Sequence, residues 1–139
     1  MKTILALILL IIVSLVSCDQ FDDKLKIVNN SKDLIYYIKT DTLVFKNNPV
    51  KLRNKDTLWD HMRYVKPFEE KSIISLGKNS WESLINKELN DSSIVLYFFS
   101  DSLLKTISFD TIRKYQIHSG VKKLKVNDLE KINWKIIYR

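Results

Sequence analysis

Two segments of the chain alternate or cluster apolar residues in the way that half-buried strands do. In Lys24–Asn29, Leu25 and Ile27 alternate with Lys24 and Lys26. Leu34–Lys39 is rich in β-branched and aromatic residues, which favour strands. The intervening residues 29–32 are Asn, Asn, Ser and Lys, whose side chains suit a turn. This pattern predicts a β-hairpin.

The strongest strand signal is the run of six apolar residues Ile94–Phe99. A strand that is apolar on both faces is normally covered on both, so we expect this strand to be central in its sheet. Further strands are predicted at Lys71–Leu76 and Asn133–Tyr138, and Val121–Val126 is a weaker candidate.

Short helices are predicted where a capping residue precedes apolar residues spaced three and four apart. Asn79 and Asn127 are each followed three residues later by Glu, the spacing of a capping box. Ser108 is a third candidate cap, and residues 57–65 fit either a helix that ends before Pro67 or an irregular loop. The apolar face expected after Asn79 is Trp81, Leu84, Ile85 and Leu89, and the face expected after Ser108 is Phe109, Ile112 and Tyr115.

Strands come first along the chain and helices are interspersed later, without regular strand–helix–strand alternation. This order predicts an α+β fold with a mostly antiparallel sheet and two or three short helices, in which a small sandwich is one arrangement of the strands. The length of 139 residues fits one domain, which we expect to span residues 24–139.

The first 17 residues differ from the rest of the chain. Lys2 precedes the ten apolar residues Ile4–Val13, a run too short to span a bilayer as a helix, which takes about 20 residues. The following Leu15-Val16-Ser17-Cys18 resembles a bacterial lipobox, in which the cysteine is acylated and becomes the mature N-terminus. We therefore expect residues 1–17 to be a lipoprotein signal peptide. The alternative is an ordinary signal peptide or anchor with a chance cysteine.

Lipidation of Cys18 would make the protein membrane-anchored, because two or three acyl chains hold a protein stably at about 0.8 kcal/mol per buried CH₂ group. Residues 18–23 contain three acids and are expected to form an acidic tether. Acids at this place resemble the signals that export some Bacteroidota-type lipoproteins to the cell surface. The alternative is a plain solvated linker.

Composition argues against nucleic-acid binding, zinc binding and glycine-rich phosphate binding. The chain carries a net charge of +7, but its lysines are spread along the sequence, so we expect a solvated basic surface and no nucleic-acid partner. One Cys and two His make a Cys/His zinc cluster improbable, and two isolated glycines exclude a glycine-rich phosphate loop. We accordingly predict no metal site and no cofactor.

Candidate catalytic groups are isolated in the sequence. His61 stands beside Asp60, a pairing that can orient an imidazole, but the second histidine, His118, is 57 positions away. No serine lies in a G-x-S-x-G elbow. We therefore predict no catalytic residue and interpret His61 as a loop histidine, although whether the protein is an enzyme stays open.

Three aromatic residues lie among charged residues and do not follow the spacing of an amphipathic helix or strand: Trp59, Tyr64 and Phe68. Exposed aromatic rings suit contact with a protein or a sugar, so these residues are the candidate partner-binding site. The alternative is that the three rings cover the open end of a small core. Trp81 and Trp134 are assigned to the core itself.

The chain resembles a group of small lipoproteins common in Bacteroidota that have no assigned activity. The resemblance is carried by the lipobox, by the early Val28-Asn29-Asn30-Ser31 segment and by a C-terminal half comprising Ile94–Asp101, Phe109–Arg113 and Val126–Ile136. It implies a lipid-anchored α+β domain of the cell envelope, expected at the outer membrane on either its periplasmic or its exposed side. We interpret the domain as a non-catalytic binding module. A small envelope hydrolase and a structural subunit of an outer-membrane assembly are the alternatives.

Overall fold

The computed structural model describes residues 21–43 and 63–139, which form two β-sheets and four short α-helices. In the first sheet, β1 (Phe21–Asn29) lies between β4 (Glu70–Leu76) and β7 (Lys135–Tyr138). Strand β1 runs antiparallel to β4 and parallel to β7. Both neighbours of β1 therefore come from distant parts of the chain.

The second sheet is entirely antiparallel and has four strands. Its order is β3-β2-β5-β6. The strands are β2 (Ile35–Thr40), β3 (Arg63–Val65), β5 (Ile94–Ser100) and β6 (Gly120–Leu124). The expected α+β class with mostly antiparallel strands is confirmed.

The helices are α1 (Ser80–Ser83), α2 (Asp101–Thr106), α3 (Phe109–Tyr115) and α4 (Val126–Lys131). Helix α1 continues into a π-helical turn, Leu84–Glu88. Ser108 caps α3 as predicted, because its hydroxyl accepts a hydrogen bond from the Thr111 amide. At the start of α4 the Asp128 carboxylate accepts from the Lys125 amide, so this helix begins earlier than the Asn127 cap predicted.

Two apolar clusters lie on opposite faces of the second sheet. The larger cluster fills the space between the sheets and includes Leu25, Ile27, Ile73 and Ile136 from the first sheet, and Ile35, Tyr37, Val65, Ile94, Leu96 and Phe98 from the second. The smaller cluster joins Val95, Tyr97 and Phe99 to Ile112 of α3. The fold is thus a sandwich of two sheets with α2 and α3 covering the outer face of the second.

Strand β5 is the centre of this arrangement, as its sequence predicted. All residues of Ile94–Phe99 are buried, and they contribute alternately to the two clusters. The predicted face of α1 and the turn after it is also confirmed: Trp81 and Ile85 are fully buried, and Leu84 and Leu89 pack against the core. Ile136 is buried on β7, while Trp134 is only partly buried against the same cluster.

The predicted hairpin of the first two strands is wrong. Strands β1 and β2 form where expected, but they belong to different sheets and do not pair. The turn-forming residues 30–34 therefore carry the chain from one sheet to the other. The same residue types favour a turn inside a hairpin and a turn that crosses between sheets. The local sequence therefore could not distinguish the two.

The structure corrects two other expectations, one for the acidic segment 18–23 and one for the Asn79 cap. Strand β1 begins at Phe21, inside the segment 18–23 that was expected to be a tether, and Asp22 is buried. Asn79 has a φ of 50° and its side chain makes no capping bond. The Trp81 amide instead donates to the Asp22 carboxylate at 3.2 Å, so a distant acid caps α1. Of the segment 57–65, residues 57–62 lie outside the described residues and 63–65 form β3.

Candidate binding surface

Tyr64 lies on β3, the three-residue edge strand of the second sheet. It stands opposite Tyr36 in the ladder, and the two rings meet edge to face with centroids 6.4 Å apart. Tyr36 is partly buried against the smaller cluster, whereas Tyr64 is 45 % exposed. The Tyr36 ring therefore supports one side of the Tyr64 ring and leaves it accessible.

A tight turn follows β3 and leads the chain back to the first sheet. The Glu69 amide donates to the Lys66 carbonyl at 3.2 Å, with Pro67 and Phe68 as the two central residues. Phe68 has a φ of 58°, the left-handed region that glycine or asparagine normally occupies at this place in a turn. Its side chain is 72 % exposed.

One lysine lies over the Tyr64 ring, and one glutamate closes the turn that carries Phe68. The Lys71 ammonium donates to the Tyr64 carbonyl at 2.9 Å and lies 4.5 Å from the centroid of the Tyr64 ring. The Glu69 carboxylate accepts from the Lys66 amide at 2.8 Å and closes the turn. Burial raises the pKa of the Tyr36 hydroxyl, and the nearby Asp101 carboxylate adds to this effect.

Asn29 holds this turn in place. Its fully buried side-chain amide donates to the carbonyls of Val65 and Lys66 at 3.1 and 3.0 Å, and to that of Asp33 at 2.8 Å. Its main-chain amide donates to the Glu69 carbonyl at 2.9 Å. Asn29 thus ties together two of the places where the chain crosses between the sheets, residues 30–34 and residues 66–69.

We call the residues Tyr36, Tyr64, Phe68 and Lys71 the aromatic edge. It offers two accessible rings, one with a lysine over it, on a turn fixed by Asn29. Such a surface can stack against a ring or a sugar face and donate a hydrogen bond beside it. Asn29 was read from the sequence only as a turn residue, and nothing in the local pattern indicates its bonds to residues 65 and 66.

The exposure of Tyr64 and Phe68 disagrees with the alternative that these two rings cover the core. Trp59, the third candidate, lies outside the described residues, as do the predicted lipidation site Cys18 and the histidine His61. His118 is described, and its ring lies against Tyr97 with centroids 5.3 Å apart.

Within residues 21–43 and 63–139, no group of three or more His, Cys, Asp or Glu side chains is placed to hold a metal ion. None of the helices in this part of the chain has the length and apolar character needed to cross a bilayer. Comparison of the chain with protein-family models, curated proteins and solved structures finds no match. The aromatic edge therefore has to be interpreted from its own geometry.

Proposed function

We propose that the protein is a lipid-anchored component of a bacterial cell envelope, and that its folded domain binds a protein or glycan partner through the aromatic edge. The anchor would be acylated Cys18, at the end of the lipobox-like Leu15–Cys18. The outer membrane is the proposed location. The domain itself is proposed to act by binding and not by catalysis.

The observation that carries the binding role is the placement of Phe68. A bulky side chain at a positive φ is unfavourable by about 1–2 kcal/mol, and asparagine or glycine would avoid part of that strain. The ring is 72 % exposed, so it gains little from burial in the fold. A strained residue with an exposed aromatic ring is explained if the ring is buried against a partner.

The binding role is tested by Phe68→Asn, which keeps a residue suited to positive φ and removes the ring. Tyr115→Asn is the matched control, because Tyr115 is a 63 % exposed aromatic residue on α3 that is not part of the aromatic edge. We expect Phe68→Asn to reduce recovery of crosslinked protein partners, or retention on purified envelope polysaccharide, at unchanged thermal stability. Equal recovery with wild type, Phe68→Asn and Tyr115→Asn would refute the proposed binding surface.

The anchor is tested separately by intact mass of the protein extracted from membranes. Acylation adds the mass of two or three acyl chains to a chain that begins at Cys18, and Cys18→Ala should abolish both the added mass and the cleavage before residue 18. A free thiol on Cys18 in membrane-extracted protein would contradict the proposed anchor without bearing on the aromatic edge.

A further inference from the structure

The outer face of the first sheet carries an apolar patch at one end. Phe21 of β1 and Leu76 of β4 stand opposite each other in the ladder and are 64 % and 72 % exposed. Ile74 is 53 % exposed and alternates with the buried Ile73, so it points to the same outer face as Leu76. We call Phe21, Ile74 and Leu76 the Phe21 patch.

The other end of the same face is charged. Glu70 accepts from Lys26 at 2.8 Å and from Lys135 at 2.9 Å, and these three side chains come from the three strands of the sheet. Glu70 and Leu76 are the two ends of β4, about 20 Å apart at the usual rise of a strand. The face therefore carries its ion-paired side chains at the end opposite the Phe21 patch, beside the half-exposed Ile137.

The apolar end is the end at which the chain arrives from its N-terminal segment. Cys18 precedes Phe21 by three residues, and a fully extended chain covers at most about 11 Å in three steps. If Cys18 is acylated, as the proposed function holds, the lipid surface lies within this distance of the Phe21 main chain. The Phe21 patch then belongs to the part of the domain nearest the bilayer.

We propose that the Phe21 patch inserts into the phospholipid headgroup and acyl boundary beside the anchor, and so fixes the orientation of the domain on the membrane. Apolar side chains gain by burial at this boundary. The nearby exposed charges, Asp23 and Lys78, are of opposite sign, while Lys24 is engaged by Asp22 and Glu82. Insertion therefore depends on apolar burial more than on anionic lipid, and the charged Glu70 end stays in water.

The orientation has a consequence for the aromatic edge. Its turn, residues 66–69, directly precedes Glu70, and Glu70 begins β4 at the end opposite Leu76. A domain seated on the Phe21 patch carries this turn on the side away from the bilayer. Tyr64 and Phe68 are then presented to the aqueous compartment, where a partner can reach them.

The test uses the acylated chain, which begins at Cys18, reconstituted in phosphatidylcholine vesicles, with a polarity-sensitive fluorophore on an introduced cysteine. Leu76→Cys places the probe in the Phe21 patch. Ile137→Cys is the matched control, because Ile137 is 43 % exposed on β7 and pairs with Val28 near the charged end. Acylated Cys18 has no free thiol, so each variant takes one label, and intact mass checks this.

We expect the Leu76→Cys emission to move to shorter wavelength in vesicles and to be lost with spin-labelled lipid, while the Ile137→Cys emission changes in neither way. Water-like emission from Leu76→Cys on an acylated chain would overturn the proposal and leave the anchor intact. A shift without quenching by spin-labelled lipid would show that a second copy of the chain covers the patch, and would also overturn it. A second label on Cys18 would instead contradict the proposed anchor.

Discussion

Asp22 and Trp81 are joined by two hydrogen bonds although they stand 59 residues apart. The Trp81 amide donates to the Asp22 carboxylate at 3.2 Å, and the Trp81 indole donates to the Asp22 carbonyl at 3.1 Å. The same indole also reaches the Ile73 carbonyl at 3.2 Å. Strand β1 thereby supplies the cap of α1 and a partner for the indole N–H, the one polar group of the fully buried Trp81 side chain.

The Asp22 carboxylate should therefore contribute to stability as a helix cap does. We expect Asp22→Ala to lower the free energy of unfolding by about 1–2 kcal/mol, the usual effect of removing a capping side chain. Chemical denaturation of both proteins measures it. Asp23→Ala is the control, because Asp23 is exposed on the same strand. Equal losses from both substitutions would mean that the Asp22 cap has no special role.

The sequence predicts the burial of Trp81 but not the role of Asp22. The apolar face containing Trp81 could be predicted from its spacing, and the six apolar residues of β5 predicted a strand covered on both sides. Asp22, in contrast, looked like one of several acids in a tether. Its role depends on a partner distant in sequence, and no local periodicity reports such a partner.

Asn29 provides a second long-range link and a second prediction. Asn29→Ala would leave the Val65 and Lys66 carbonyls without their side-chain donor. A buried polar group left without a partner costs about 1–3 kcal/mol, so we expect a loss of at least about 2 kcal/mol in the free energy of unfolding. Differential scanning calorimetry against Asn30→Ala, an exposed neighbour, gives the comparison. A melting temperature equal to that of the control would contradict the role of Asn29.

For the candidate binding residues, too, the sequence predicts the exposure of the side chains but not the main-chain conformation. That Tyr64 and Phe68 stand among charges could be read from the sequence, and their exposure agrees with it. The positive φ of Phe68 could not be predicted from the sequence. In a turn with proline at the first central position, a positive φ at the second is normally expected only where glycine or asparagine stands there. The support that Asn29 gives to the turn could not be predicted either, because it depends on β1 and β2 belonging to different sheets.

Leu96 tests the central strand. It is fully buried on β5 in the cluster between the two sheets. Leu96→Ala should lower the free energy of unfolding by about 2–5 kcal/mol, because it removes apolar burial and leaves a cavity. Val121→Ala, on the neighbouring β6 and 36 % exposed, should cost far less. A melting temperature of Leu96→Ala that matches wild type would show that β5 is not the core strand.

Glu70 links the three strands of the first sheet and makes stability depend on pH. Its hydrogen bonds to Lys26 and Lys135 lower the pKa of the Glu70 carboxyl, and the bond to Glu70 raises the pKa of Lys26. The unfolded chain, with a glutamate pKa of about 4.3, therefore binds this proton more readily than the folded chain. The contribution of Glu70 is complete above that value and is lost as pH falls through the folded-state pKa.

Glu70→Gln removes this titration and leaves the two lysines without their shared acceptor. We expect wild type to be more stable than Glu70→Gln near pH 7, and the difference to shrink as the solution is made more acidic than the glutamate pKa of about 4.3. Because all three side chains are partly exposed to solvent, added salt should reduce the difference as well. Thermal melts of both proteins across this pH range, with Glu130→Gln on α4 as the control, measure the effect. A difference between wild type and Glu70→Gln that stays constant with pH would show that the Lys26–Glu70–Lys135 contacts do not stabilise the sheet.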